Sequence, residues 1–189
     1  MEVEVKMKPT DVLVEEHNAI KRMLAVTEAV CGRLESGEAV EPEHLAEIVD
    51  FIRGFADKCH HAKEEDLLFP AMEEAGMPRA GGPISVMLSE HEIGREYVRN
   101  MSDAASAFKS GDAGASAKFV ENARNYVALL TDHIGKEDNI LYPMGNRVLT
   151  PENQEKLAAE FERVEHEVVG HGEHEKYMEV LENLESVYG

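Results

Sequence analysis

A chain of 189 residues with 43% hydrophobic content is long enough for one domain with a sizeable core. Its 38 acidic against 19 basic residues leave a net charge of −19, which repels phosphate backbones and anionic membrane surfaces, and no basic patch offsets it, so nucleic-acid and membrane partners are excluded. No apolar run approaches the roughly 18 to 20 residues that span a bilayer, Met1 to Lys8 lack a hydrophobic signal segment, and Cys31 and Cys59 have no C-x-x-C spacing, so a soluble protein of the reducing cytoplasm is expected.

Residues 1–9 read as a loose arm with a strand-like alternation over Val3-Glu4-Val5-Lys6. A first helix starts near Thr10 or Asp11, either of which can cap it, and carries Leu13, His17, Ile20, Leu24, Cys31 and Leu34 on one stripe. Ser36-Gly37-Glu38 ends it, and Pro42 suits the first turn of a second helix. There Val49, Ile52, Ala56, His60, Glu64, Leu67 and Ala71 follow steps of three and four, so a histidine and a glutamate extend the apolar face. The Gly/Pro-rich stretch from Gly76 to Pro83 is a loop within one domain. A third helix from about Ile84 places Leu88, His91, Arg95, Val98, Met101 and Ala105 on one side, ending before Gly111-Asp112. In a fourth, Ala123, Tyr126, Leu130, His133, Glu137, Ile140 and Met144 form a stripe like that of the second. Thr150-Pro151-Glu152 opens a fifth helix, with Phe161, Val164, Val168, Met178, Leu181 and Leu184 inward and a weak point at Gly170 and Gly172.

The chain repeats itself. Cys59-His60-His61-Ala62-Lys63-Glu64-Glu65-Asp66-Leu67-Leu68-Phe69-Pro70 returns as Asp132-His133-Ile134-Gly135-Lys136-Glu137-Asp138-Asn139-Ile140-Leu141-Tyr142-Pro143, each a His-x-x-x-Glu followed by an apolar-aromatic-Pro stop. Upstream, Glu16-His17 is echoed by Glu90-His91, at intervals of 43 and 42 residues from the histidine of each motif. Residues four apart on a helix point the same way, so His60/Glu64 and His133/Glu137 each offer one nitrogen and one oxygen inward, with His17 and His91 opposite. Imidazole with carboxylate suits iron, manganese or zinc. Two buried carboxylates are costly unless a cation neutralises them, and a pair of metals does so.

These six residues, in this order and at these separations, resemble the hemerythrin-like HHE cation-binding family over roughly residues 10–146. The resemblance implies an all-α fold: an antiparallel four-helix bundle over 10–146, with the C-terminal helix of 147–189 packing on it. It implies two non-haem iron ions with an oxo or hydroxo bridge, held by His17, His60, Glu64, His91, His133 and Glu137, with zinc or manganese as substitutes. Oxygen-carrying members have a His-x-x-x-His pair on the third helix and an aspartate bridge; here Arg95 follows His91 and the second bridge is Glu137. The fifth histidine then comes from His61, or from His174 (with His171) on the C-terminal helix. Of about twelve positions on two six-coordinate irons, two bridging carboxylates, an oxo bridge and five histidines leave one open, which suits a diatomic ligand.

The expected function is therefore binding of dioxygen, or another small diatomic ligand, for storage, delivery or sensing. The alternative is a di-iron redox enzyme acting on nitric oxide or peroxide with an electron donor, or iron supply for cluster repair; whether the protein is an enzyme stays open, as does a metal-tightened regulatory sensor. Lys63 and Lys136 read as surface pairing residues, Glu65 and Asp138 as solvated residues or acceptors for ligand histidines, His44 and His166 as surface residues, and Tyr126, Phe69 and Tyr142 as core or pocket walls.

Overall fold

The computed structural model describes residues 7–164 and 172–189; the strand-like stretch over 3–6 and His166, Val168, Gly170 and His171 lie outside the described residues. The described chain is all-helical, and its main body is four rods. The first is α1 (Pro9–Ser36). The second runs through α2 (Pro42–Phe51), π1 (Ile52–His61), π2 (Glu64–Leu68) and α3 (Phe69–Glu74). The third is α4 (Pro83–Lys109) and the fourth α5 (Ala115–Lys136), π3 (Glu137–Leu141) and α6 (Tyr142–Val148). Neighbouring rods are antiparallel: Glu43 pairs with Lys109 and Asp57 with Arg95 between the second and third, while Thr10 meets Asn146 and Glu35 meets Arg124 between the first and fourth.

The first helix begins at Pro9, one residue before the expected caps. Pro9 needs no N–H partner there, and Asp11 accepts the Lys8 backbone N–H at 3.0 Å. It ends where expected: Gly37 takes the left-handed φ of 75°, letting its own N–H reach Leu34 and that of Glu38 reach the Arg33 carbonyl.

The prolines after the two motifs do not stop the helices. Ahead of each, the backbone widens: the Phe69 N–H donates to the Glu64 carbonyl and the Tyr142 N–H to that of Glu137, five residues back in each case. Helix then resumes with Pro70 or Pro143 in its first turn, where a missing N–H costs little. The wide turn adds one residue to the period, and that overturns the sequence stripe beyond it. Leu68 and Met72 are buried in place of Leu67 and Ala71, and Leu141 and Gly145 in place of Ile140 and Met144, which face solvent.

Two apolar clusters result. One is built on Ile20, Met23, Leu24, Val49, Ile52, Phe55, Met101, Phe119 and Tyr126. The other is built on Leu13, Leu68, Phe69, Met72, Met87, Leu141 and Tyr142. Between them lies a layer of buried polar groups.

The expected single fifth helix is two, α7 (Pro151–Val164) and α8 (Glu173–Tyr188), with Gly172 at a φ of 83° ahead of α8. Leu157 and Phe161 of α7 complete the second cluster, and Tyr177, Leu181, Leu184 and Tyr188 of α8 complete the first. Docking of α8 depends on Gly54, where an added Cβ would lie 1.7 Å from the Tyr177 hydroxyl. Gly54→Ala is expected to lower stability by about 1–3 kcal/mol through overpacking, and to speed proteolysis of α8. An unchanged melting temperature and cleavage pattern would contradict that role.

Candidate metal centre

The polar layer holds five histidines, and each turns its Nδ1 to a carboxylate. His17 faces Asp138 at 2.7 Å, His60 faces Glu16 at 2.8 Å, His91 faces Glu65 at 2.6 Å and His133 faces Glu90 at 2.8 Å. His61 faces Asp57 at 3.4 Å. A carboxylate at Nδ1 holds the proton there and leaves Nε2 as a lone pair, the tautomer a metal-binding imidazole requires. The five Nε2 atoms point inward. Those of His17 and His60 stand 3.0 Å apart, as do those of His91 and His133. Lone pairs facing each other at that range need a cation or a proton between them.

Two groups of donor atoms form: His17, His60 and Glu137 in one, and His61, His91, His133 and Glu64 in the other. Glu137 reaches both, with Oε2 3.2 Å from His17 Nε2 and Oε1 3.2 Å from His133 Nε2. Glu64 is less free. Its Oε1 accepts a 2.6 Å hydrogen bond from the Tyr142 hydroxyl, while Oε2 lies 3.7 Å from His60 and 3.5 Å from His91. His61 Nε2, Glu64 Oε2 and both Glu137 oxygens are buried without a hydrogen bond. Leaving such atoms unsatisfied is costly, and a divalent pair would satisfy all four. The donor set therefore fits a nitrogen- and oxygen-loving metal pair.

All six residues of the repeated motifs come together here, and so does His61. A π-helix has more residues per turn than an α-helix, so neighbouring side chains diverge by less than about 100°, and both His60 and His61 enter the interior from π1. His174 lies in neither group; its ring packs edge-on against Phe55, with centroids 5.3 Å apart. Lys63 is no surface residue: it is fully buried and bonded to Glu16, whereas its counterpart Lys136, bonded to Glu90, is partly exposed. Glu65 and Asp138 are the acceptors for His91 and His17, not solvated bystanders. Glu16, Glu90 and Asp57 carry no role in the sequence pattern, although the first two directly precede His17 and His91 in both copies.

Electrostatics follows from these contacts. Burial raises the Glu64 carboxyl and the adjacent Glu137 charge raises it further, so it sits well above the usual carboxylate range. Burial also acts on Glu137, but the close approach of His133 and His17 outweighs it and holds that carboxyl well below. Burial and the charge of His17 push His60 down to about 4. Against the pull of burial, His60 and the Lys63 ammonium hold Glu16 at about 2.

These shifts set the acid limb of the metal-free protein. A histidine with a lowered pKa binds its proton only on unfolding, so His60 costs stability as pH falls from about 6.5 toward 4. A carboxylate with a lowered pKa stabilises the fold above its ordinary value near 4.5 and loses that contribution as pH falls toward about 2, which is the case for Glu16. Glu64, held above its ordinary value, works the other way down to about 4.5, so the melting temperature of metal-free protein is expected to fall most steeply between pH 4.5 and 3. A flat profile across that range would contradict these environments.

A family model described as the hemerythrin HHE cation-binding domain matches residues 8–145. The chain belongs to the hemerythrin HHE family. The match covers the four rods up to residue 145, within α6, and leaves α7 and α8 outside. Uncharacterized proteins of Mycobacterium tuberculosis and Mycobacterium bovis are each 25% identical to this HHE protein over 188 residues, covering 100% of this chain and 73% of their own. The iron-sulfur cluster repair protein YtfE of an Enterobacter species is 35% identical over 88 residues, 44% of this chain and 39% of that protein. The YtfE of Edwardsiella ictaluri is 31% identical over 121 residues, covering 59% and 51%. The chain thus spans about half or less of the repair proteins. No solved structure matches it. No helix among the described residues is long and apolar enough to cross a membrane.

Proposed function

We propose that this HHE protein holds two non-haem iron ions and binds dioxygen at them, for storage, delivery or sensing. The observation that carries the reading is the donor set: five imidazoles, each fixed through Nδ1 by a carboxylate, converge with two buried glutamates, one of which spans both groups. His17, His60 and Glu137 would hold one iron, and His61, His91, His133 and Glu64 the other, with Glu137 shared. Iron supplies reversible electron transfer to a bound diatomic ligand. The chain's own residues fix the imidazole tautomers, keep bulk water out through the two apolar clusters, and hold a proton at Tyr142 Oη on Glu64. A reducing cytoplasm suits the two buried cysteines, Cys31 and Cys59.

Protein reconstituted anaerobically with ferrous iron is expected to bind two irons per chain. On exposure to dioxygen it should develop a charge-transfer absorption that disappears on deoxygenation. Irreversible oxidation without such a band would remove the carrier reading. The second reading, redox turnover of nitric oxide or peroxide or iron supply for cluster repair, is favoured by the likeness to repair proteins over 44% of this chain. Catalytic consumption of nitric oxide or peroxide in the presence of an electron donor, or transfer of iron to a cluster-deficient acceptor, would select it. Zinc or manganese would occupy the same donors, so the metal must be assayed in protein purified from its native host.

A further inference from the structure

Each carboxylate that stands behind an imidazole also meets a cation. Glu16 bonds Lys63, Glu90 bonds Lys136 and Asp138 bonds Lys21, one lysine apiece. The other two, Asp57 behind His61 and Glu65 behind His91, share Arg95. Its Nε donates to Asp57 Oδ1 at 2.9 Å, and its Nη2 lies 2.8 Å from that same oxygen while donating to Glu65 Oε1 at 2.7 Å. These are the two oxygens that His61 Nδ1 and His91 Nδ1 face. A chain of contacts therefore runs from one imidazole through a single guanidinium to the other. It closes on itself where the two rings stack, with centroids 3.9 Å apart and planes at 17°.

The repeat within the chain supplies the comparison. Four residues after His91 stands Arg95, and four after His17 stands Lys21; three before His60 stands Asp57, and three before His133 stands Leu130; His61 is matched by Ile134. Between the first and fourth rods, Leu130 and Ile134 belong to the apolar core, so the cation has Asp138 to hold and a lysine serves. Between the third and second rods an aspartate and a histidine take those two places, and the cation is arginine. A lysine is a point charge on a flexible stem, whereas the planar guanidinium fork meets two carboxylates at fixed angles. Three differences between the halves thus meet in one contact.

We propose that Arg95 is a positioning residue for the metal centre: through Asp57 and Glu65 it fixes His61 and His91 as a pair, and so sets the affinity of the three-imidazole donor group apart from that of the other. Asp57 and Glu65 are each partly open to solvent, so without the guanidinium both carboxylates turn toward water and the imidazoles lose their fixed angle. The proposal rests on the two-metal reading for its effect on metal affinity, and on the hydrogen bonds alone for the orientation of the rings.

The test reads the imidazole protons of the full chain by nitrogen–proton correlation spectra, first without metal and then with zinc. Wild-type protein is expected to protect the Nδ1 protons of all five histidines from exchange with water. Arg95→Lys, which copies the cation found at the matched position, should keep the proton of His91 and lose that of His61. Arg95→Met should lose both, with those of His17, His60 and His133 retained. Lys21→Met, the matched change, should cost the His17 proton alone. In zinc titrations against a chromophoric chelator, Arg95→Met should weaken one of the two ions by about tenfold or more and leave the other within about threefold. Equal loss of protection at every histidine, or full protection with wild-type zinc affinity in Arg95→Met, would overturn the proposal. Fewer than two zinc ions in the wild type would count against the two-metal reading alone, because the imidazole protons are also read in the metal-free chain.

Discussion

Glu137→Gln is expected to reduce metal loading from two ions per chain toward one, while Glu64→Gln weakens it less. Both glutamates are fully buried, and both occupy the last position of a His-x-x-x-Glu motif, so the sequence ranks them equally. The structure does not. Glu137 directs one oxygen to His17 of its own donor group and the other to His133 of the second, so it reaches across both. Glu64 has already committed one oxygen to Tyr142, leaving a single free donor. Removing a group that merely supports a metal-binding histidine costs about 10–100-fold in affinity; losing the one carboxylate that reaches both donor groups should exceed the upper end of that range. Competition titration with a chromophoric chelator and elemental analysis would measure it. Two tightly held ions in Glu137→Gln would remove the shared-carboxylate arrangement and with it the di-iron reading. Tyr142→Phe is the natural companion, since it frees Glu64 Oε1 and should narrow the difference between the two glutamates.

The repeat makes the bundle and the meeting of six residues at its centre legible because burial of a histidine and a glutamate in an apolar stripe has few inexpensive explanations. What it concealed has one physical origin. The stripe assumes a fixed helical period, yet the chain widens its turns at Ile52–His61, Glu64–Leu68 and Glu137–Leu141. That widening brings His61 inward beside His60, moves burial from Leu67 to Leu68 and from Ile140 to Leu141, and lets Pro70 and Pro143 continue the rods. No residue type announces an i→i+5 bond, so periodicity alone could not locate it. The carboxylates behind the histidines were hidden differently. Glu16 and Glu90 serve the histidine of the next rod, His60 and His133, and not the histidine adjacent to each in sequence. Their partnership depends on the antiparallel packing of two helices, which the sequence gives only after the fold is known.

The same duplicated contact in two environments leads to an asymmetric prediction. Lys63 bonds Glu16, which holds His60; Lys136 bonds Glu90, which holds His133. The chemistry is matched, but the Lys63 side chain is 0% exposed and that of Lys136 is 37% exposed. Lys63 also lies over the Phe161 ring of α7, 5.9 Å from its centroid, so the C-terminal helices seal one pair and leave its twin near water. Breaking a buried ion pair from one side strands the other charge and costs about 3–5 kcal/mol, while an exposed pair contributes about 0–1 kcal/mol. Lys63→Met should therefore lower the denaturant midpoint strongly and Lys136→Met only slightly. If stranded charge is the cause, Glu16→Gln added to Lys63→Met should recover most of the loss, because the amide oxygen can still accept from His60 Nδ1 without carrying charge. Equal effects of the two lysine substitutions, or no recovery in the double variant, would show that burial by α7 does not set the energetics of this contact. Metal affinity should follow the same order, since an imidazole whose supporting carboxylate drifts no longer presents Nε2 at a fixed angle.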